Sequence, residues 1–325
     1  MKRVGIFFTK QGEESDVSLE TYQTFVSALK KLSQYNPISI EIRDKKFFMR
    51  EEDQTQEIAP TSLDTHIDCA LIATHGSFGE DGQLQKILEE QHIPFVGTRG
   101  YQSSVAFSKA TTKDVLERSL IQSAPYVTIH GKDVDHATAS HIFSSIPQPC
   151  IIKPSNSGSS HGVSKCSSVD EIREGIVEAL KYSDVLIAEE FIDGQEFAVG
   201  VIRDIRDQEL YILPPVEIIP PVGKDFFDTE SKYDGSTQEI CPAQISDELR
   251  IELEKVTKNV VSTIVIEDYA RVDFRVHPKR GIFVLEVNTL PGMSSESLFP
   301  KELTAVGITM SEFLEHVLTR ALTRG

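Results

Sequence analysis

The feature that most limits what this chain can fold into is an alternation in its first hundred residues. Short apolar runs (Val4 to Phe8, Ile38 to Ile42, Cys69 to Ala73) take turns with amphipathic stretches (Leu19 to Leu32, Leu84 to Gln91). Strand–helix–strand order of this kind predicts a parallel α/β unit. In such sheets ligands gather beyond the carboxyl ends of the strands, here the Phe8 to Asp16 and Thr74 to Gly82 segments. The pattern then changes. From Lys109 to Glu190 a helix (Thr112 to Ser119), strands Tyr126 to Ile129 and Cys150 to Lys153, a Gly/Ser loop, a helix (Val169 to Lys181) and strand Val185 to Glu190 predict a small α+β unit. Beyond Phe191 come strands Glu196 to Arg203 and Leu210 to Ile219, a long polar loop, a helix over Asp247 to Ile264, and strands Arg271 to Val276 and Ile282 to Val287. The expected division is 1–105, 106–190 and 191–325. The loop Pro220 to Ala243 is too long for a hairpin connection, and Phe226, Phe227 and Tyr233 favour a lid over a disordered segment.

Composition narrows the function classes. With 325 residues, 39% hydrophobic and 26% charged, the chain can bury substantial cores. Its net charge of −17 argues against nucleic acid as a partner, which would need clustered Lys and Arg. Cys69, Cys150, Cys166 and Cys241 are scattered without metal or disulfide spacing, which fits a reducing cytoplasm. The opening Met1 to Phe8 reads as a strand rather than a signal peptide, and no run reaches the roughly 18 apolar residues of a membrane span.

Four segments could carry chemistry. Lys153-Pro-Ser-Asn-Ser-Gly-Ser-Ser-His-Gly162 follows an apolar strand, so small residues would let backbone N–H groups approach phosphate while the lysine supplies a point charge. It is not a Walker A loop, and taken alone such a stretch is more often a surface turn. Asp273 on one strand and Glu286 and Asn288 two apart on the next would share one face of a hairpin, an all-oxygen set suited to Mg²⁺ on nucleotide phosphates. Solvent-facing polar positions are the plainer reading, weakened by the Leu290-Pro-Gly-Met-Ser294 turn that follows. Glu189 to Glu196 offers carboxylates for ribose beside an apolar and aromatic strand for adenine, although surface glutamates at a strand end are commoner. Thr74-His75-Gly76 to Gly82, at a strand mouth, suits a small carboxylate.

Taken together and in this order, the segments resemble the D-alanine–D-alanine ligase family of the ATP-grasp superfamily. The likeness runs from near Gly12 to near Lys301; its most specific pieces are His75-Gly76 with Gly79 to Gly82, Lys153 to Gly162, Lys232-Tyr233, Arg271 to Asp273 and Glu286 to Met293. The resemblance implies a three-domain ATP-grasp fold with an N-terminal parallel-sheet domain, ATP held between the central and C-terminal sheets, two Mg²⁺ or Mn²⁺ ions, D-alanine as substrate and a cytoplasmic homodimer. It also implies roles. Lys109, Lys153 and Ser160 would contact phosphate; Glu189, Glu190, Phe191, Ile192 and Glu196 the adenosine; Phe226 and Lys232 would belong to a closing loop; Asp273, Glu286 and Asn288 would hold metal. On the substrate side it implies His75 at the first D-alanine, a hydrogen-bonded group of Asp16, Ser159 and Tyr233, Arg271 and the Gly292 N–H around the reacting carbonyl, and Ser297 with Leu298 at the second carboxylate. One position departs from the family. Asp16-Val-Ser-Leu19 stands where Glu-Val-Ser-Leu is usual, so the carboxylate that helps hold the first amino group would be one methylene short. Tyr233 favours an amine over a D-lactate nucleophile. Other readings are a ligase for a different amino or hydroxy acid pair and a nucleotide-binding module without catalysis.

Overall fold

Six consecutive buried residues, Val4 to Thr9, make the first strand a central one, since a strand covered on both faces has no polar alternation to keep. The computed structural model describes residues 1–12, 14–51, 54–221 and 237–324. In chain order its strands are β1 (Lys2–Thr9), β2 (Tyr35–Arg43), β3 (Lys46–Glu51), β4 (Gln54–Ile58), β5 (Cys69–Ile72), β6 (Phe95–Val96), β7 (Tyr126–His130), β8 (Cys150–Pro154), β9 (Ser164–Cys166), β10 (Val185–Glu190), β11 (Gln195–Ile205), β12 (Gln208–Ile212), β13 (Val216–Ile219), β14 (Gln238–Ile240), β15 (Tyr269–His277) and β16 (Gly281–Asn288). They form three sheets.

The first has the order β4-β3-β2-β1-β5-β6. Its centre is parallel as expected, but β3 and β4 add an antiparallel edge. The reason is local: Asp44 (φ 48°) and Lys45 (φ 62°) form a two-residue turn with both φ positive, which matches strand twist and folds β3 back on β2. Helix α1 (Ser15–Leu29) covers this sheet through Ser18, Thr21, Phe25, Ala28 and Leu29. The second sheet, β7-β10-β8-β9, is antiparallel, and its turn between β8 and β9 is the Gly/Ser loop. The third runs β14-β13-β11-β15-β16, with β12 also on β11. The single strand expected over Leu210 to Ile219 is two, because Pro214 and Pro215 have no N–H to give the ladder. The expected long loop contains β14; Phe226, Phe227, Lys232 and Tyr233, and with them the lid expectation, lie outside the described residues.

The two C-terminal helices, Leu298–Ala305 and Met310–Arg324, return to the first sheet. Leu303, Phe313, Leu314, Val317 and Leu318 share one core with Val4, Phe25 and Leu71. Asp268, fully buried, fixes the junction by accepting from Gly97 N–H (2.8 Å) and from Arg324 Nη1 (2.9 Å). The Glu267 to Ala270 segment before Arg271 is thus a packing device that joins first and third sheets.

Candidate active site

Two adjoining clefts meet where the sheets converge, one of about 140 Å³ and one of about 700 Å³. The smaller is built on the ends of β8 and β10. Lys153, at the end of buried β8, meets Glu189 Oε1 at 2.5 Å, and Lys113 from the helix Lys109–Arg118 meets Glu189 Oε2 at 2.7 Å. Burial pushes the Glu189 carboxyl up, but the two lysines outweigh it and bring it to about 2. Lys113 is pulled below its usual range by the same burial. The resemblance put Glu189 on the ribose or adenine side of the nucleotide; in the structure both of its oxygens rest on lysines beneath the cleft. Glu196 meets Arg275 Nη2 at 2.9 Å, and Glu190 grips Arg280 at 2.5 and 2.8 Å. Between them the Phe191 ring carries Lys165 Nζ 3.9 Å from its centroid, with Ile192 buried alongside.

The Gly/Ser loop turns through left-handed backbone at Ser159 (φ 50°), Ser160 (φ 57°) and Gly162 (φ 68°). Successive turns of this sort point N–H groups into a concavity suited to anions. Lys109 joins the loop to the third sheet: its Nζ donates to Ser157 O at 2.7 Å and lies 3.1 Å from Glu286 Oε2.

On the β15–β16 hairpin, Asp273 is paired with Glu286 and Arg271 with Asn288. A register shift falls just after Asp273, and Arg271, Asp273 and Glu286 line the clefts. Arg271 donates to both oxygens of Asp273 (Nε 2.7 Å, Nη2 2.8 Å), and Asn288 Nδ2 donates to Asp273 Oδ2 at 3.0 Å. Burial works against the Arg271 charge, yet Asp273, and behind it Glu286, raise its pKa further. The structure brings Asp273, Glu286 and Asn288 together. Among the described residues no three His, Cys, Asp or Glu side chains could hold a metal by themselves. Two carboxylates and an amide leave coordination positions for phosphate oxygens, the way Mg²⁺ is usually held on nucleotides.

The larger cleft is acidic. His75, buried, is held by Thr21 Oγ1 (2.9 Å from Nε2) and faces Glu80 Oε1 at 3.6 Å. Burial pushes the Glu80 carboxyl up, opposed by His75. Thr21 Oγ1 also accepts from Met293 N–H at 3.2 Å, which ties the Pro291-Gly292 turn to α1. Gly292 sits close under Ser297, whose Oγ would be 2.8 Å from a Cβ there. Ser297 Oγ lies 2.9 Å from Ser294 Oγ, and Ser297 and Leu298 line the wall where the helix Leu298–Ala305 begins.

Asp16 is not in this site. It lies exposed on the first turn of α1, whose start at Ser15 turns Ser18 inward and Asp16 out. Glu14 takes the place expected for it: Ser159 Oγ donates to Glu14 Oε1 at 2.6 Å. The carboxylate passes between two glycines; a Cβ on Gly76 would come within 2.3 Å of Oε2, and one on Gly158 within 2.7 Å of Oε1. The hydrogen-bonded group of Asp16, Ser159 and Tyr233 is therefore corrected to Glu14 and Ser159, with Tyr233 outside the described residues. Sequence reasoning also missed Lys113 and Arg275, and quoted Glu80 within the Gly79 to Gly82 motif without giving it a role. The acidic Gly12-Glu13-Glu14 step was the visible signal for Glu14; nothing local marks the others.

A family model described as "D-ala D-ala ligase N-terminus" matches residues 3–98, and one described as "D-ala D-ala ligase C-terminus" matches residues 115–319. The D-alanine–D-alanine ligase of Clostridium perfringens is 33% identical over 322 residues, 98% of either chain. Among solved structures, a D-alanine–D-alanine ligase from Bacillus anthracis has a TM-score of 0.82 at 26% identity, covering 100% of this chain and 98% of that one. A D-Ala:D-Ser ligase from Enterococcus faecalis has a TM-score of 0.86 at 24% identity, covering 98% and 99%, a likeness of fold.

Proposed function

The chain belongs to the D-alanine–D-alanine ligase family, and from that premise we propose that it joins two D-alanines at the expense of ATP, giving D-alanyl-D-alanine for peptidoglycan, ADP and phosphate. The observation that carries this reading is the junction of the two clefts. Lys109, Arg271 and Glu286 line both, so a phosphate in the smaller and a carboxylate in the larger would meet there.

In the smaller cleft Lys153, Lys109 and the backbone of the Ser159–Ser160 turn would hold phosphates, with Phe191 and Ile192 at the base and Glu196 at the ribose. Asp273, Glu286 and Asn288 would hold two Mg²⁺ or Mn²⁺ ions, which when bound neutralise phosphate charge. In the larger cleft Glu14 would take the ammonium of the first D-alanine, with His75 beside it. The carboxylate of that D-alanine attacks the γ-phosphorus, ADP leaves, and an acyl phosphate forms. The amine of the second D-alanine, its carboxylate held by Ser297 and the Leu298 N–H, attacks the acyl carbon, and phosphate departs from the tetrahedral adduct. Arg271 and the Gly292 N–H are suited to the charge on the former carbonyl oxygen, where fixed donors have most effect. The working domains are 1–105, 106–190 and 191–325, and the enzyme acts as a cytoplasmic homodimer, a state that sedimentation velocity tests.

The decisive experiment is phosphate release from ATP with D-alanine, D-serine, D-lactate or no acceptor, with the product identified by mass. Dipeptide formation dependent on D-alanine is the expected result. ATP turnover indifferent to any of the three, or nucleotide binding without turnover, would overturn the assignment.

A further inference from the structure

Glu302 is a fully buried carboxyl to which the proposed chemistry gives no part. It lies one helical turn beyond Leu298, on the helix Leu298–Ala305. Its Oε1 accepts from the Gly200 N–H at 2.6 Å, and its Oε2 has no hydrogen-bond partner among the described residues. A bare carboxyl among Leu213 and Phe299 is costly unless a charge answers it.

The register of the third sheet supplies that charge. Gly200 on β11 stands directly opposite Arg271 on β15. Residues opposed in an antiparallel pair project from the same face, with Cβ positions about 4.5–5.5 Å apart. A Cβ on Gly200 would sit 2.7 Å from Glu302 Oε2. The carboxyl of Glu302 thus occupies the place of the side chain that Gly200 lacks, on the face and at the level of Arg271. Burial drives Glu302 well above its usual range, with the Gly200 N–H and Arg271 working against it. Asp273 on the same strand repels its charge, and the half-buried Cys241 thiol also feels it.

Arg271 donates to both oxygens of Asp273. A metal held by Asp273 would compete for those oxygens and would leave Arg271 in need of another anchor. We propose that Glu302 is a positioning residue for Arg271: set in the gap at Gly200, its carboxyl steadies the guanidinium over the reacting carbonyl once Asp273 is engaged by metal. This rests on the roles given above to Arg271 and Asp273. A cap for the Gly200 N–H alone would need only an acceptor, which glutamine supplies.

Glu302→Gln keeps the acceptor and the volume and removes the carboxyl's capacity to carry negative charge. The expected result is a kcat lower on the order of tenfold with the KM for ATP within about twofold, because only the carbonyl step depends on Arg271. In an Arg271→Met background the same change should cost nothing further in kcat. Chemical unfolding of the wild type, both single variants and the double variant in saturating Mg²⁺ and ATP gives a readout separate from turnover, and non-additive midpoints are expected. Gly200→Ala displaces the carboxyl rather than removing it and should likewise lower kcat without raising the KM for ATP; it carries the test if Glu302→Gln does not fold. Wild-type kcat in Glu302→Gln, or in Gly200→Ala should the first be unfolded, overturns the proposal, as do additive midpoints. Wild-type kcat in Arg271→Met would overturn the Arg271 assignment itself, which separates the two failures.

Discussion

The two clefts solve opposite electrostatic problems. In the smaller, Lys153 and Lys113 rest on Glu189, Lys109 on Glu286 and Arg271 on Asp273, so cations suited to phosphate are neutralised by carboxylates before any ligand arrives. In the larger, Glu14 and Glu80 face each other across Gly76 and His75 with hydroxyls and backbone N–H groups as company. On the proposed reading, one cleft would accept an anion by exchanging partners and the other would present negative charge to an incoming ammonium. The difference explains how a chain of net charge −17 can take a polyanion: the positive charge is stored locally in pairs rather than spread over the surface.

Several experiments would break or sharpen that contrast. Excess chelator should bring turnover to background, because Asp273, Glu286 and Asn288 offer only oxygen ligands and a lysine and an arginine compete for them; full activity in chelator would sink the exchange idea. Glu189→Gln should cost about 3–5 kcal/mol of stability, as it strands two lysines in the core, measurable by urea unfolding at neutral pH. The same group sets an acid limb. Its folded value of about 2 lies below the ordinary 4.5, so its contribution is fully present above pH 4.5 and is lost as the pH falls toward 2. A melting curve for Glu189→Gln that keeps the wild-type slope over that window would remove Glu189 as its source.

Smaller effects are expected from single contacts with ligand. Lys153→Ala should raise the KM for ATP about 10- to 100-fold, the range for a hydrogen bond to a charged group, with the KM for D-alanine little changed. Glu14→Gln should act on the other cleft, raising the KM for D-alanine by a similar factor and sparing that for ATP. If both variants alter both constants alike, the clefts are not separable. Asp16→Asn, on the exposed face of α1, should leave every constant within about twofold; a larger change would return the amino-group role to Asp16.

That last pair marks where sequence stops being a guide. Asp273, Glu286 and Asn288 could be read directly because a two-residue period and one hairpin decide their placement, and both are local properties. Helix Asp247–Ile264 was equally plain, with Ser246 capping its start by accepting from Leu249 N–H. Glu14 was not, because its role depends on the residue at which α1 begins and on the approach of a loop 145 positions away. Lys113 looked like any helix lysine. Only the packing of its helix against β10 buries it on Glu189.

The return of the helix Met310–Arg324 to the first sheet bears on how the molecule is made. Val4, Phe25 and Leu71 belong to the segment that leaves the ribosome early, yet the partners that finish their core, Phe313, Leu314, Val317 and Leu318, emerge only after the other two sheets have been synthesised. Arg324 adds the closing contact, donating to the Phe95 carbonyl at 3.0 Å and to Asp268. During translation the first sheet therefore carries an unfinished apolar face for most of the chain's length, a surface that chaperones bind and that aggregates when left open. The helix that completes this core follows directly on the segment bearing Ser297, Leu298 and Glu302, so one stretch of chain finishes the first core and walls the larger cleft.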